Sequence, residues 1–282
     1  MTAGTRILYV VLVLIVLFLF LAPRLRTGKD QNGGRPEDLP QQTDQPGQTD
    51  TGQPPQAQTI LTKADIPLTE TDIYTFLQGP KAWSSRADWS GSWCDIVLAD
   101  QKFSVFGCGL CDLANIYSTL TPFDCSPIDM YEYAQEVSGY TPVSGFGAID
   151  WPYLSETLAS VGIYSELRLK DSTYEEFRQS VADAISVIAL VSSYNDKTYW
   201  QDVEGHYVNL WLYNSENDTV LLGDSGNPAH NRQYIPLRYV YDALKTAGSC
   251  QYLAVTGVCP AENIWRHDGI DLDWEMPAYY HS

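Results

Sequence analysis

Basic residues are scarce in this chain, with 17 Lys and Arg against 35 Asp and Glu and a formal net charge of −18. That excludes a nucleic-acid partner, because phosphate binding depends on Lys and Arg neutralising the backbone. The acidic surplus reads as a solubilising surface. Histidine is scarcer still: four in 282 residues, at positions 206, 230, 267 and 281. Any chemistry that needs an imidazole base has few candidates. No internal repeat is present, which excludes solenoids and propellers. A tight second pair of cysteines beside Cys108-Gly109-Leu110-Cys111 is also missing. A structural zinc site would have to recruit Cys94 and Cys125, so neither metal nor cofactor is expected.

Long apolar runs are nearly absent as well. The longest, Ile7 to Ala22, has sixteen residues, with Arg6 before it and Pro23, Arg24 and Arg26 after it. It is short for a spanning helix of roughly 17–25 residues and slightly long for a signal-peptide core of ~7–15. With no small-residue cleavage pattern before Pro23, residues 1–26 are expected to be a signal-anchor in preference to a cleaved signal. Residues 27–58 are Gly, Pro, Gln, Thr and Asp with almost no large apolar side chain. Such a stretch cannot offset its ordering entropy and reads as a disordered linker. The folded part is expected over residues 59–282. These features predict a single-pass cell-membrane protein with its membrane partner at the N-terminus and its domain outside, the alternative being secretion. Six cysteines suit an oxidising compartment.

Within the folded part the pattern is helices first and strands after. A helix is predicted over 109–120, with Leu113, Ile116, Tyr117 and Leu120 on one face. Ser126 caps a second, with Pro127 in its first turn and Gly139 beyond its end. Asp150 caps a third over 151–160, stopped by Gly162. Ser172 and Glu175 form a capping box for a fourth over 174–184. The run 185–192 is apolar and β-branched, as a buried strand should be. Strands at 207–213 and 220–223, joined by the polar turn 215–218, a helix at 239–246 and a strand at 252–258 follow. This order gives an α+β domain. Cys250 and Cys259 flank the last strand, so they are not expected to pair, since seven extended residues far exceed the ~7 Å reach of a disulfide.

Three short segments carry chemistry. Cys108 lies between Gly107 and Gly109 at a helix start, where the positive end of the dipole favours thiolate. The flanking glycines read as room for a substrate backbone and relief of strain at the turn. His206 opens a strand, a position from which a base can face a helix N-terminus across a cleft. Asp224 closes the next strand, from which it can fix the His206 tautomer. His230, close after Asp224, is the fallback base.

Together the segments FGCGLCDLANIYSTL, EGHYVNLWLY and LLGDSGNP resemble the papain-like cysteine peptidases, in particular the bacteriocin-processing (double-glycine) peptidases and their cell-surface relatives. The resemblance spans residues 72–228. It implies a papain-like fold and thiol hydrolysis of peptide or isopeptide bonds in a peptide or protein substrate, without cofactor. Cys108 is then nucleophile, His206 base and Asp224 its orienting carboxylate. IYTFLQGPKAW is similar to the entry strand whose Gln helps form the oxyanion hole, which assigns that role to Gln78 over Gln101. Leu110-Cys111 departs from the Pro-Thr or Pro-Ala usual after Gly-Cys-Gly.

Other readings share parts of the pattern. Cys-x-x-Cys at a helix start is a thioredoxin-like layout, but no apolar strand leads into it. A cell-wall amidase of the same ancestry has the same three residue types. A catalytically idle module that only binds peptide or wall material is open if Cys108 is bonded to Cys111. Trp83, Trp89, Trp93 and Trp200 are candidates to line a cleft, whereas Trp151 and Trp211 sit in regular elements and are expected in the core.

Overall fold

The computed structural model describes residues 59–270 and 273–281. Among them the α-helices are α1 (Pro80–Ser84), α2 (Phe103–Phe106), α3 (Cys108–Leu120), α4 (Pro127–Ser138), α5 (Trp151–Ser160), α6 (Tyr174–Asp183) and α7 (Leu237–Ala243). The strands are β1 (Val97–Leu98), β2 (Gln101–Lys102), β3 (Ile163–Arg168), β4 (Ser186–Val191), β5 (His206–Asn214), β6 (Thr219–Gly223), β7 (Gln233–Pro236) and β8 (Tyr252–Val258). β1 and β2 pair with each other, and the other six form one sheet in the order β3-β8-β4-β5-β6-β7. Every pairing is antiparallel. The fold is α+β, consistent with a papain-like architecture.

The sheet is covered on both sides. Ile188, Tyr207, Trp211, Leu221 and Leu253 face a core shared with α3, α4 and α5. Val187, Val208, Leu210, Val220 and Leu222 face a second core with Phe177 of α6 and Leu237 and Val240 of α7. Burial of both faces explains why β4 reads as a continuous apolar run with no polar alternation. Trp151 and Trp211 are core, as expected. Trp89, Trp93 and Trp200 are also buried; Trp89 and Trp93 pack against Phe76 in the core, and Trp89 also borders a cavity with Glu70, Asp88 and Arg232.

Local chemistry places several boundaries. Ser126 and Asp129 cap α4 reciprocally, Pro127 occupies its first turn, and Gly139 ends it in the left-handed region at φ +73°. The capping box of α6 is Thr173 with Glu176, one residue later than predicted. Three departures are larger. β3 and β7 lie at the two edges of the sheet, where one-sided pairing leaves little apolar signal. The segment 73–79 is extended but joins no ladder, so it is not the expected entry strand. Its N–H groups donate to Thr119 Oγ1, Asn115 Oδ1, Trp89 O and Ser225 O.

Among the described residues no helix is long and apolar enough to cross a membrane. The longest, α3, has 13 residues, or about 20 Å at 1.5 Å per residue against an apolar core of ~30 Å. The expectation of a single-pass membrane protein, with a membrane partner and an outward-facing domain, is corrected by that finding. The run 7–22 and the linker 27–58 lie outside the described residues.

Candidate active site

α3 begins at Cys108 itself, with Gly107 as its N-cap. Both flanking glycines stand where packing leaves no room for a side chain, and neither relieves strain at a left-handed turn. A Cβ on Gly107 would stand 2.3 Å from the Phe103 ring, and one on Gly109 would stand 2.6 Å from Ile149. Neither has a left-handed backbone. Cys108 is buried, with 7% of its surface exposed.

His206 opens β5 and Asp224 follows the last residue of β6. The register that sets Asn209 against Gly223 brings the carboxylate back to the start of β5. His206 Nε2 lies 2.8 Å from Asp224 Oδ1. With Nε2 engaged there, Nδ1 is the nitrogen left to meet the Cys108 thiol. Burial opposes a thiolate at Cys108, but the hydrogen bond and charge of His206 outweigh it, with help from the N–H groups of Tyr207 and Gly109. The thiol pKa therefore falls below its ordinary value. Burial likewise opposes an imidazolium, yet Asp224 and the thiol raise His206 well above the usual histidine range. Asp224 is forced in the opposite sense: burial favours its acid form, and the His206 charge and hydrogen bond depress it far below the carboxylate range. All three directions favour a thiolate–imidazolium pair beside an ionised carboxylate.

Asp224 is held from several sides. Oδ1 also accepts the N–H groups of Gly226 and Asn227, each at 3.1 Å. Oδ2 accepts Trp200 Nε1 at 3.1 Å and lies 3.3 Å from His230 Nδ1. His230 thus leans on the carboxylate and is not placed as an alternative base on the thiol side. No sequence signal distinguished Trp200 from the other tryptophans, because its partner is 24 residues away on another element.

Gln78 is buried one step from both halves of the site. Its Nε2 donates to Ser104 O at 3.0 Å, its Oε1 accepts from Ser225 Oγ at 2.8 Å, and its N–H reaches Ser225 O. Gln101 does something else. With its amide turned to satisfy its neighbours, its side-chain oxygen accepts from Gly145 N at 2.7 Å and Phe146 N at 3.2 Å. The polar 99–102 stretch is a hairpin support for that loop.

Cys111 points into the same region but has no comparable activation. Burial and then the neighbouring Asp112 push its thiol well above the ordinary value. All six cysteines are free thiols, Cys108 and Cys111 included. Asp112, one turn beyond Cys108, was not singled out by the sequence. It is fully buried and neither carboxyl oxygen has a hydrogen-bond partner. Burial first, and the Cys108 charge second, push its pKa well above the carboxylate range, which favours the protonated form. The available signal was an acid inside a helix whose every residue from Cys108 to Ser118 is buried.

A cavity of about 680 Å³ opens beside His206 and Asp224, walled by Tyr199, Trp200, Asp202, Glu204, Asn227 and His230. Among the described residues no group of three or more His, Cys, Asp or Glu side chains is placed to hold a metal ion. Electrostatically the site suits nucleophilic attack by sulfur and proton delivery by imidazole.

A family model described as phytochelatin synthase matches residues 151–251, just over a third of the chain. The matched region contains β4 to β6 and so His206 and Asp224, and it begins after Cys108. That family is related to the papain-like cysteine peptidases, and the similarity supports a papain-like cysteine enzyme of the hydrolase or acyl-transfer type. No curated protein matches the chain.

Proposed function

We propose that this protein is a papain-like cysteine hydrolase that cleaves peptide or isopeptide bonds through Cys108, His206 and Asp224, within a catalytic domain spanning residues 59–282. One observation carries the reading: His206 Nε2 is committed to Asp224, which leaves Nδ1 to serve a thiol at the first turn of a helix. The Cys108 thiolate attacks the carbonyl carbon, and the electron pair moves onto the carbonyl oxygen. That oxyanion is met by the N–H groups of the first helical turn and by Gln78 Nε2, released from Ser104 O. His206 Nδ1 then gives its proton to the departing amine, which leaves an acyl thioester on Cys108. A water deprotonated by the same nitrogen hydrolyses the thioester. The Gly-Cys-Gly segment and the His and Asp segments support kinship with the bacteriocin-processing peptidases within the papain-like group.

The phytochelatin synthase likeness favours a second fate for the thioester, attack by an amine in place of water. Both fates share every step up to the acyl-enzyme. The test is mass spectrometry of the protein and of Cys108→Ala after incubation with a mixed peptide and isopeptide library, with and without an added free amine. Acylation of Cys108 and new carboxyl termini support hydrolysis, and amine adducts support transfer. A wild-type protein that never acquires an acyl group, and acts no differently from Cys108→Ala, rejects both.

A further inference from the structure

Cys111 stands beside the nucleophile, and hydrolysis gives it no task. It lies three residues after Cys108 in the first turn of α3, where Cys111 N donates to Gly107 O at 2.9 Å and holds the turn in α form. Helix geometry sets the two Cα atoms about 5 Å apart, inside the ~4.4–6.8 Å window of a disulfide. Both thiols are free. Cys108 Sγ donates to Phe106 O at 3.9 Å, so a bond to Cys111 needs rotation about the Cys108 Cα–Cβ bond and a small adjustment of the turn. The first N–H groups of a helix have no acceptor within it, so that adjustment costs little hydrogen bonding.

The two thiols differ in the ways that a sensing pair requires. Cys108 retains 7% exposure, enough for a molecule hardly larger than water, and Cys111 has none. Against its burial, His206 holds Cys108 towards the thiolate, the form that oxidants attack. Burial, then Asp112, then the Cys108 charge favour the thiol form of Cys111. Oxidation of Cys108 removes the third of those causes and leaves the His206 ring free to accept the Cys111 proton. The Cys111 thiol also feels Cys94 and the Ser225 hydroxyl, which makes Cys94 the competing partner.

We propose that Cys108 and Cys111 form a peroxide-sensitive pair, in which Cys111 captures the oxidised nucleophile as a disulfide and switches the hydrolase off reversibly. The inference rests on the thiolate assignment of Cys108 in the hydrolase reading. The oxidant is hydrogen peroxide. The Cys108 sulfur attacks one peroxide oxygen, an S–O bond forms, and the O–O bond breaks. Hydroxide leaves and takes the His206 proton as water, so the sulfur gives up two electrons and becomes a sulfenic acid. Cys111 then passes its proton to the neutral imidazole and attacks the Cys108 sulfur. An S–S bond forms, the S–O bond breaks, and the departing hydroxide takes that proton from the ring as a second water. The disulfide leaves no thiolate to attack a carbonyl, and a thiol reductant restores both residues by exchange. Without Cys111 the sulfenic acid stays open to a second peroxide and to irreversible sulfinic acid.

The test takes the reduced full chain, Cys111→Ser and Cys111→Ala through hydrogen peroxide and then dithiothreitol. Iodoacetamide reports the Cys108 thiolate at each stage, and peptide mapping without reduction locates any bridge. Before peroxide, labelling should be fast in the wild type and in both variants. Afterwards the wild type should lose labelling, gain a Cys108–Cys111 bridge with the loss of two hydrogens, and recover fully with dithiothreitol. The variants should also lose labelling, react with a sulfenic-acid probe, pass to sulfinic acid as exposure continues, and recover poorly. Two replacements guard against a fold that rejects one of them, and the wild-type bridge is read without either. Fast initial labelling with no Cys108–Cys111 bridge, or a bridge from Cys94 to Cys111, overturns the inference and leaves the hydrolase reading standing. Recovery of the variants equal to that of the wild type does the same. Slow initial labelling of wild-type Cys108 removes the hydrolase reading and this inference with it.

Discussion

Trp200 Nε1 donates to Asp224 Oδ2, the oxygen opposite the one that holds His206. Both Trp200 and Asp224 are almost fully buried, so neither can turn to water for a substitute partner. The carboxylate is pinned on both oxygens and holds the imidazole through Oδ1.

Trp200→Phe keeps an aromatic ring in the pocket and deletes the donor. A hydrogen bond to a charged group contributes about 1.5–3 kcal/mol, so the carboxylate loses one of the anchors that aim it at His206, and a ring held less well by Asp224 should keep less of its raised pKa. Cys108 alkylation near pH 6.5 should fall roughly tenfold, with 1.4 kcal/mol per factor of ten, and recover above pH 9. An unchanged rate at pH 6.5 makes Trp200 a packing residue only.

Cys108 and Cys111 should separate cleanly by reactivity. The first has a depressed pKa and the second a raised one, so at any pH near neutral Cys108 should carry the larger thiolate fraction. Cys108→Ala should abolish fast iodoacetamide labelling, and Cys111→Ser should leave it largely intact. Faster labelling at Cys111 contradicts the assignment.

His206→Ala removes the hydrogen bond and charge that hold the Cys108 pKa down, while burial remains. The midpoint of the alkylation profile should move upward, to or beyond the free-thiol value of about 8.5. Asp224→Asn should move it in the same direction by a smaller amount, because the ring stays but loses its counter-charge. A midpoint that does not move in either variant breaks the proposed pair.

Asp112 gives a stability prediction whose sign is fixed by its raised pKa. The unfolded carboxyl ionises near pH 3.9, whereas the buried one keeps its proton well above that. Its favourable contribution is complete below about pH 4 and is lost as pH rises, at up to about 1.4 kcal/mol per unit. Asp112→Asn cannot ionise. The variant should therefore gain Tm relative to wild type between pH 4 and pH 7. A difference that stays flat over that range means Asp112 is ionised or hydrated in the fold.

Gly162 tests the α5–β3 junction. It stands at φ +72°, and a Cβ there would lie 2.3 Å from Cys259 O. Gly162→Ala should cost more than the ~1 kcal/mol of a left-handed alanine, measured by urea unfolding, because backbone as well as side chain must shift. A cost below ~0.5 kcal/mol would mean that the junction moves freely.

Amino-acid order alone determined the elements with strong local signals. The capped helix α4, the helix α5, the buried strand β4 and the strand β8 lie where spacing and end signals put them, because those signals act over a few residues, although Asp150 at the start of α5 makes no side-chain cap bond. The edge strands β3 and β7 were not legible, since half of their pairing and most of their apolar contacts are missing by construction. Candidates for thiol, base and carboxylate were readable as residue types beside glycines and strand ends. Their mutual distances, and the partners that tune them, were decided only by tertiary structure. Gln78 meets Ser225 across 147 residues of chain, and Trp200 and His230 converge on Asp224 from separate segments. The Asp112 carboxyl is pushed towards its acid form because α3 is buried along nearly its whole length between the sheet and its neighbouring helices. Desolvation and hydrogen bonding depend on what surrounds a group in space, and no local pattern encodes that.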